Sequence, residues 1–339
     1  MRPTRLSFLF VGFLLCMATF SLRSAHSAEM PHKIRVAYTV IGGAAWPIWT
    51  AQEKGIFKKY GLEAELIYLA SASLALQGLL AGDVDLLATA TGPAVMIAQL
   101  GGADVVMVGA TANTPNGTFM VKPDIKAPSD LKGQAIGVTR FGSSSDYAAR
   151  FALRKWGLTP GRDVTILQMG GVPEIFSGMV SGRISGGMLY PPFDIRASKR
   201  GFKELADPGQ LGLVFPQTPI TVRRKYLDTN RDTLKRYLMI VSEAIHLIKT
   251  NKPVAEAVLG KYTKTSDQAV LTSAYDKDVP TIDRIPLVDL KGVEAVLEFI
   301  KEERVEAKKS KPEDFVDNSL VGELDDSGFY KRLWGGKGS

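Results

Sequence analysis

The chain has 339 residues, of which 45% are hydrophobic and 23% are charged, and it contains a single cysteine. This composition excludes a disordered chain, a collagen-like repeat and a small disulfide scaffold. The length favours two lobes over one, because single cores stop growing at roughly 250–300 residues. The net charge of +7 does not indicate nucleic-acid binding, because lysine and arginine are scattered and form no long run.

The N-terminus has the pattern of a secretory signal peptide. Arg2 and Arg5 precede an apolar run at residues 6–17, and small residues follow at 24–28. The run is shorter than the ~20 residues that span a bilayer, and Cys16 lacks the small preceding residue of a lipoprotein signal. We therefore predict that residues 1–28 are removed, leaving a soluble, unlipidated periplasmic protein with 39 basic and 35 acidic residues, a net charge of +4.

Residues 33–112 alternate between strand and helix patterns. Strands are predicted at 33–40, 62–69, 84–88 and 104–112, with helices at 47–60, 73–81 and 93–100 between them. Such βαβ units predict a largely parallel sheet that is covered on both faces. Its ligand crevice should lie at the carboxyl ends of the strands.

The same pattern restarts in the second part of the chain. Strands are predicted at 134–139, 164–169 and 184–189, and helices at 144–156 and 173–181. Residues 76–85 also resemble residues 176–185, so that Gly78 and Gly82 correspond to Gly178 and Gly182. We therefore predict an α/β fold with two lobes of related topology.

Helical patterns dominate after about residue 221. They cover residues 231–250, 253–262, 266–275, 290–309 and 312–315. Because no flexible linker precedes them, we expect this tail to pack on the first lobe. The chain would then cross between the lobes at 113–123 and 213–220, and two crossings form a hinge. The predicted organisation is a first lobe of residues 29–116 and 219–339 and a second lobe of residues 117–218.

The sequence does not indicate a catalytic or metal site. His26 belongs to the signal segment, His32 begins the mature chain, and His246 lies among apolar residues of a predicted helix. Motifs for zinc, calcium or phosphate binding and for a serine nucleophile are absent. Asp83 and Asp85 lie at the start of a buried strand, where turn and capping roles are common. We therefore expect neither an enzyme nor a cofactor.

Candidate ligand contacts follow the predicted strands of the first lobe. Ala45 and Trp46 follow the first strand, Thr89 and Thr91 the third, and Asn113 the fourth. The carboxyl ends of parallel strands meet at one edge, so these side chains should approach a bound ligand. The alternatives are core packing for Trp46 and helix capping for the two threonines.

In the second lobe, residues 140–146 lead from a strand into a helix and contain three consecutive serines, Ser143, Ser144 and Ser145. Free N–H groups, the helix dipole and these hydroxyls favour an anion. Alternatively, Ser143 and Asp146 have the spacing of a capping box. Arg150, four residues further on, would neutralise Asp146.

Tyr190 follows the last predicted strand of the second lobe and precedes Pro191 and Pro192. Its ring is rigid and carries a hydroxyl, so it is predicted to close over the ligand. Packing of the ring on Pro192 is the alternative.

Five segments resemble the substrate-binding proteins of ABC importers, in particular the nitrate, sulfonate, taurine and thiamine-pyrimidine binding group. They are QEKGIFKKYGLE at 52–63, LLAGDVD at 79–85, LKGQAIGV at 131–138, LRKWGL at 153–158 and GRDV at 161–164. The resemblance spans about residues 33–220. It implies a type II periplasmic-binding-protein fold, whose two doubly wound lobes close on a solute. Ser185 departs from the family pattern, which commonly has an acid there.

The resemblance and the residues together predict a monomeric, exported receptor for a small organic anion, such as a sulfonate or carboxylate. The family relation implies delivery to a membrane permease with an ATPase subunit. The serines would hold the acidic group, while Trp46 and Tyr190 contact the organic part. Two alternatives remain: an enzyme on the same fold related to thiamine-pyrimidine synthesis, and a ligand sensor that contacts a membrane receptor kinase. The cysteine-rich motif of the enzymes is absent.

Overall fold

A computed structural model describes residues 31–301 and 304–335, so the predicted signal segment at 1–28 lies outside the described residues. The elements up to residue 110 are β1 (His32–Tyr38), α1 (Trp46–Glu53), α2 (Ile56–Lys59), β2 (Leu62–Tyr68), α3 (Ala72–Ala81), β3 (Leu86–Leu87), α4 (Gly92–Leu100) and β4 (Val105–Ala110). The next elements are β5 (Thr118–Val121), β6 (Ala135–Val138), α5 (Ser144–Lys155), β7 (Thr165–Gln168), α6 (Val172–Val180), β8 (Gly186–Leu189), α7 (Phe193–Ser198) and β9 (Lys203–Ala206).

The remaining elements are β10 (Pro219–Arg223), α8 (Arg224–Thr229), α9 (Arg231–Thr250), α10 (Lys252–Thr263), α11 (Gln268–Asp278), α12 (Leu290–Ile300), α13 (Ser319–Asp326) and α14 (Phe329–Trp334). Short 3-10 helices lie at Gly43–Ala45, Pro128–Leu131, Val279–Thr281, Val305–Lys309 and Pro312–Phe315. Within the described ranges, no helix is long and apolar enough to cross a membrane.

The described strands form two sheets, in the orders β2-β1-β3-β10-β4 and β7-β6-β8-β5-β9. We call each sheet with its packed helices a lobe, the first and the second. Both sheets are mixed: in each, four of the five described strands run in one direction and the fifth runs against them, which agrees with the prediction of largely parallel sheets. In the first, β10 runs antiparallel to β3 and β4. In the second, β5 runs antiparallel to β8 and β9.

The antiparallel strands follow from the two crossings. β4 ends at the carboxyl edge of the first sheet, and the chain then enters the second sheet as β5 at the edge where β6 and β8 end. A strand that begins at this edge runs away from it, opposite to its neighbours. β10 returns to the first sheet in the same way. The predicted crossings at 113–123 and 213–220 therefore contain strand β5 and the start of β10.

The two lobes repeat a helix, a glycine and a strand at a spacing of 100 residues. Gly82 follows α3 with φ 85°, and Gly182 follows α6 with φ 76°, a left-handed conformation that glycine adopts without a Cβ clash. At the start of the strand that follows Gly82, Asp85 pairs with Arg35 at 2.8 Å. Ser185, the residue that departs from the family pattern, occupies the equivalent position, so the departure lies away from the carboxyl edge.

The helical tail contacts both lobes. α9 and α10 pack on α1, and α13 packs on α9 and β4. The helix predicted at 290–309 instead ends at Ile300 and is followed by a short 3-10 helix. In α12, the ring of Phe299 lies 4.8 Å from that of Tyr147 in α5. The tail is therefore in contact with the second lobe as well as the first.

Candidate functional site

The carboxyl edges of the two sheets are in contact, so the lobes are closed on each other. Ser73 at the start of α3 donates a hydrogen bond to the carbonyl oxygen of Phe141 in the second lobe at 3.2 Å. Farther along the same face, the Nζ of Lys277 in α11 lies 2.6 Å from Oδ2 of Asp194 in α7. Asp194 has only 4% of its side chain exposed and Lys277 has 31%, so the carboxylate of this ion pair is buried between the lobes.

Gly42, in the loop after β1, faces the backbone of the second lobe. A Cβ atom at this position would lie 2.3 Å from the carbonyl oxygen of Pro191. The φ of Gly42 is 170°, which is extended backbone available to any residue. The close approach of the lobes, rather than the backbone angle, therefore requires a glycine here.

Two of the three predicted serines are engaged within their own turn. The hydroxyl of Ser143 donates to the carbonyl oxygen of Arg140 at 2.7 Å and accepts from the hydroxyl of Thr139 at 2.8 Å. The hydroxyl of Ser145 accepts from the backbone N–H of Thr139 at 2.9 Å. Both serines are buried. Their hydroxyls fix the turn that connects β6 to α5.

The alternative capping box at the start of α5 is wrong in its geometry. Ser143 makes no side-chain hydrogen bond to the first turn of the helix. Asp146 accepts instead from the backbone N–H of Gly142 at 2.9 Å, one residue before the cap. Arg150 donates from Nε to Asp146 at 2.8 Å. Arg150 therefore forms the predicted ion pair with this carboxylate.

Ser144 and Tyr190 are brought together at the closed face. Their hydroxyl oxygens lie 3.4 Å apart. Tyr190 is buried, and this burial raises the pKa of its hydroxyl. The ring passes close to the first crossing, where a Cβ on Gly117 would lie 2.7 Å from the ring atom Cε1. The predicted lid residue therefore contacts both the helix start and the hinge.

Trp46 occupies the core of the first lobe. Its side chain is 0% exposed, and its indole N–H donates to the carbonyl oxygen of Ala255 at 2.7 Å. The ring also packs edge-on against Tyr275. Ala45 is fully buried beside it. Trp46 is therefore a core residue in this closed structure, as the alternative to ligand contact predicted. The only polar atom of its side chain is bonded within the first lobe.

The predicted threonines lie at the carboxyl edge of the first sheet. Thr89 accepts through Oγ1 from the backbone N–H of Thr39 at 2.7 Å, which joins the loops after β3 and β1. Thr91 precedes α4, but its side chain does not cap that helix. The Oγ1 atom of Thr91 is buried and has no hydrogen-bond partner among the described residues.

Asn113 lies apart from the other predicted contacts. Its amide nitrogen donates to Oδ2 of Asp283 at 2.9 Å and to the carbonyl oxygen of Leu287 at 2.8 Å. These residues line a separate pocket on the outside of the first lobe. Burial raises the pKa of Asp283, although hydrogen bonds from Asn113 act in the opposite direction. Asn113 therefore ties the first crossing to the tail.

Three residues that the sequence did not predict line a small cavity at the hinge: Asn116, Gln217 and Asp278. Asn116 lies in the first crossing and Gln217 in the second, so a polar residue in each crossing was an available signal. Asp278 ends α11, and no motif marks it. Asn116 Nδ2 donates to Oδ1 of Asp278 at 2.8 Å. Burial, and to a smaller extent the nearby Asp194, raise the pKa of Asp278 well above its usual range.

We find no candidate metal-binding site among the described residues. Across residues 31–301 and 304–335, no three His, Cys, Asp or Glu side chains are grouped so that they could hold a metal ion. The polar groups at the closed face are hydroxyls, amides, the ion pair of Lys277 with Asp194 and the buried carboxyl of Asp278.

The chain is similar in sequence and in fold to known proteins. The putative binding protein YtlA of Bacillus subtilis is 24% identical over 278 residues, covering 80% of this chain and 83% of that protein. The taurine-binding periplasmic protein of Escherichia coli is 28% identical over 252 residues, covering 73% and 75%. The crystal structure of the periplasmic nitrate-binding protein NrtA from Synechocystis PCC 6803 matches with a TM-score of 0.72 at 16% identity, covering 87% and 88%.

The names of these three proteins describe binding proteins, in agreement with the non-enzymatic prediction. The solved structure confirms the predicted periplasmic-binding-protein fold. The model of the NMT1-like family matches residues 27–260, which is more than half of the sequence. The chain therefore belongs to the NMT1-like family.

Proposed function

We propose that this protein is the exported solute-binding receptor of an ABC importer. It captures a small organic solute with an anionic group between its lobes and presents the closed form to a membrane permease with an ATPase subunit. The contact between the carboxyl edges of two sheets, which only two crossings connect, is the observation that carries the proposal. The names of the taurine- and nitrate-binding proteins support an anionic ligand.

The mechanism is a shift in the populations of open and closed forms. A solute that contacts both lobes binds the closed form more tightly, and only this difference in affinity drives closure. We propose that the two moving bodies are residues 29–116 with 219–339, and residues 117–218. Removal of residues 1–28 places the receptor in the periplasm, as the N-terminal pattern predicts.

The anionic group is proposed to lie at the start of α5. Ser144 supplies a hydroxyl that is not bonded within its own turn, and Tyr190 closes beside it. From the first lobe, the unpartnered hydroxyl of Thr91 precedes α4. Ser143 and Ser145 act by holding the turn that positions the N–H groups of α5. Helix N-termini favour anions because of their free N–H groups and dipole.

A thermal-shift screen followed by calorimetry tests this function. The panel contains sulfonates, carboxylates, nitrate and pyrimidines, and at least one anion is expected to stabilise the chain. Ser144→Ala should then weaken binding by about 5- to 10-fold, the loss of one hydrogen bond. Ser129→Ala, at an exposed serine of the same lobe, is the matched control. Stabilisation by neutral pyrimidines alone would exclude the anion, and turnover of a bound compound would favour the enzymatic alternative.

A further inference from the structure

The cavity at the hinge carries an unbalanced set of hydrogen-bond acceptors. Its volume is about 10 Å³, which leaves room for one water-sized chemical group rather than a whole ligand. Three oxygen atoms of its lining residues are buried and have no hydrogen-bond partner among the described residues: Oδ1 of Asn116, Oε1 of Gln217 and Oδ2 of Asp278. The exposed fractions of these residues are 9%, 3% and 1%.

Buried oxygens without a donor from the protein are costly unless a bound group supplies one. Three at one cavity are therefore unusual for a purely structural site. The neighbouring loop packs directly on the carboxyl, because Gly43 has no side chain beside Asp278. A Cβ there would lie 1.7 Å from Oδ2.

The charge of the cavity is unbalanced as well. Lys277, the adjacent residue, points to Asp194 and to the hydroxyl of Thr118, each at 2.6 Å. Its ammonium group is thus bonded to the second lobe. Among the described residues, Asp278 receives a hydrogen bond only from the neutral amide of Asn116, and burial raises the pKa of its carboxyl well above the usual range. The cavity therefore lacks three donors, and a cation bound in it would favour the ionised form of this carboxyl.

We propose that this cavity binds a primary ammonium group of the solute, with its three N–H donors directed at Asn116, Gln217 and Asp278. A primary ammonium has three donors, no acceptor and one positive charge, which matches the three oxygens and the carboxylate. A guanidinium would bring five donors to three acceptors, and a quaternary ammonium would bring none. This inference rests on the proposed function, because it adds an amine to the solute captured between the lobes.

Methylammonium is the direct probe of this site, and tetramethylammonium is its control because it has the same charge but no N–H donor. At 100 mM and equal ionic strength, methylammonium is expected to raise the Tm by about 2 °C or more above tetramethylammonium. Asp278→Asn, which keeps the shape of the side chain, should abolish this difference. Asp283→Asn, at the carboxyl that contacts Asn113, should preserve it. Equal effects of the two cations on the parent chain would overturn the proposal.

Paired solutes connect the site to transport. We compare taurine with 2-hydroxyethanesulfonate and β-alanine with propionate, which differ at the amine. The amine is expected to bind at least 10-fold more tightly, and Gln217→Leu should reduce this preference. Tight binding of the amine-free members would overturn the ammonium site while leaving the receptor function intact. A response to methylammonium without binding of any panel solute would support the site and contradict the receptor function.

Discussion

Substitution of Gly42 by alanine tests whether the closed form is the binding form. The added Cβ would lie 2.3 Å from the carbonyl oxygen of Pro191, whereas ordinary van der Waals contact begins near 3.4 Å. The lobes must therefore separate by about 1 Å at this point. The obstructing atom belongs to the backbone, so it cannot rotate away as the end of a side chain could. In the open form the methyl group meets no such obstacle.

The expected magnitude follows from the cost of overpacking, which is typically about 1–3 kcal/mol. Since the clash exists only in the closed form, this cost shifts the equilibrium toward the open form by about 5- to 150-fold. The apparent affinity for a solute that requires closure should fall by the same factor. The folding stability of each lobe should be unaffected, because the backbone of Gly42 is extended and tolerates alanine.

Small-angle X-ray scattering and calorimetry provide the two measurements. Gly42→Ala should have a larger radius of gyration than the parent chain and a weaker affinity for whichever panel solute binds. Gly322→Ala is the matched control, because a Cβ there meets no atom within 4 Å. An unchanged radius together with parental affinity in Gly42→Ala would refute the reasoning that ligand capture depends on this closed contact.

Three further predictions concern buried groups. Burial and Asp194 raise the pKa of Asp278, so the parent chain should lose stability as the pH rises from about 4 through that pKa. Calorimetric scans of Asp278→Asn should lack this loss. A steeper loss in the variant would contradict the prediction. Trp46→Phe removes the hydrogen bond to Ala255 and should lower the free energy of unfolding in urea by about 1–3 kcal/mol, with little change in solute affinity. A large loss of affinity with unchanged stability would instead make Trp46 a ligand contact. Lys277→Met leaves Asp194 buried without its cation, so X-ray scattering should show a shift toward the open form. The double variant with Asp194→Asn should recover part of the closure. No recovery would show that the two side chains act independently.

The sequence predicts the repeated part of the fold well, for a physical reason. Helix and strand patterns differ in period, and a glycine after each helix marks a left-handed turn, as at Gly82 and Gly182. The antiparallel strands were missed because β5 and most of β10 are buried on both faces. When polar and apolar residues do not alternate, the sequence of so short a strand cannot be distinguished from that of an apolar loop.

The candidate site is less predictable, because position along the chain does not specify which way a side chain points. Trp46 and Thr91 both follow strands of the first sheet, yet one is enclosed in the core and the other has an unpartnered hydroxyl. The contact between Asn116 and Asp278 joins residues 162 positions apart. It depends on how α11 packs against the hinge, and no local pattern encodes that packing.

The location of the three unpartnered oxygens suggests how binding and closure are coupled. Asn116 and Gln217 belong to the two crossings, and Asp278 ends a helix whose preceding residue bonds to the second lobe. In the closed structure a carboxyl and two amide oxygens are therefore buried at the hinge itself. We infer that closure desolvates these oxygens, so that without a donor from the solute their desolvation opposes closure and favours the open form. An ammonium group would reverse this balance only when the lobes are closed, and such a difference in affinity between the two forms is what a binding-driven closure requires.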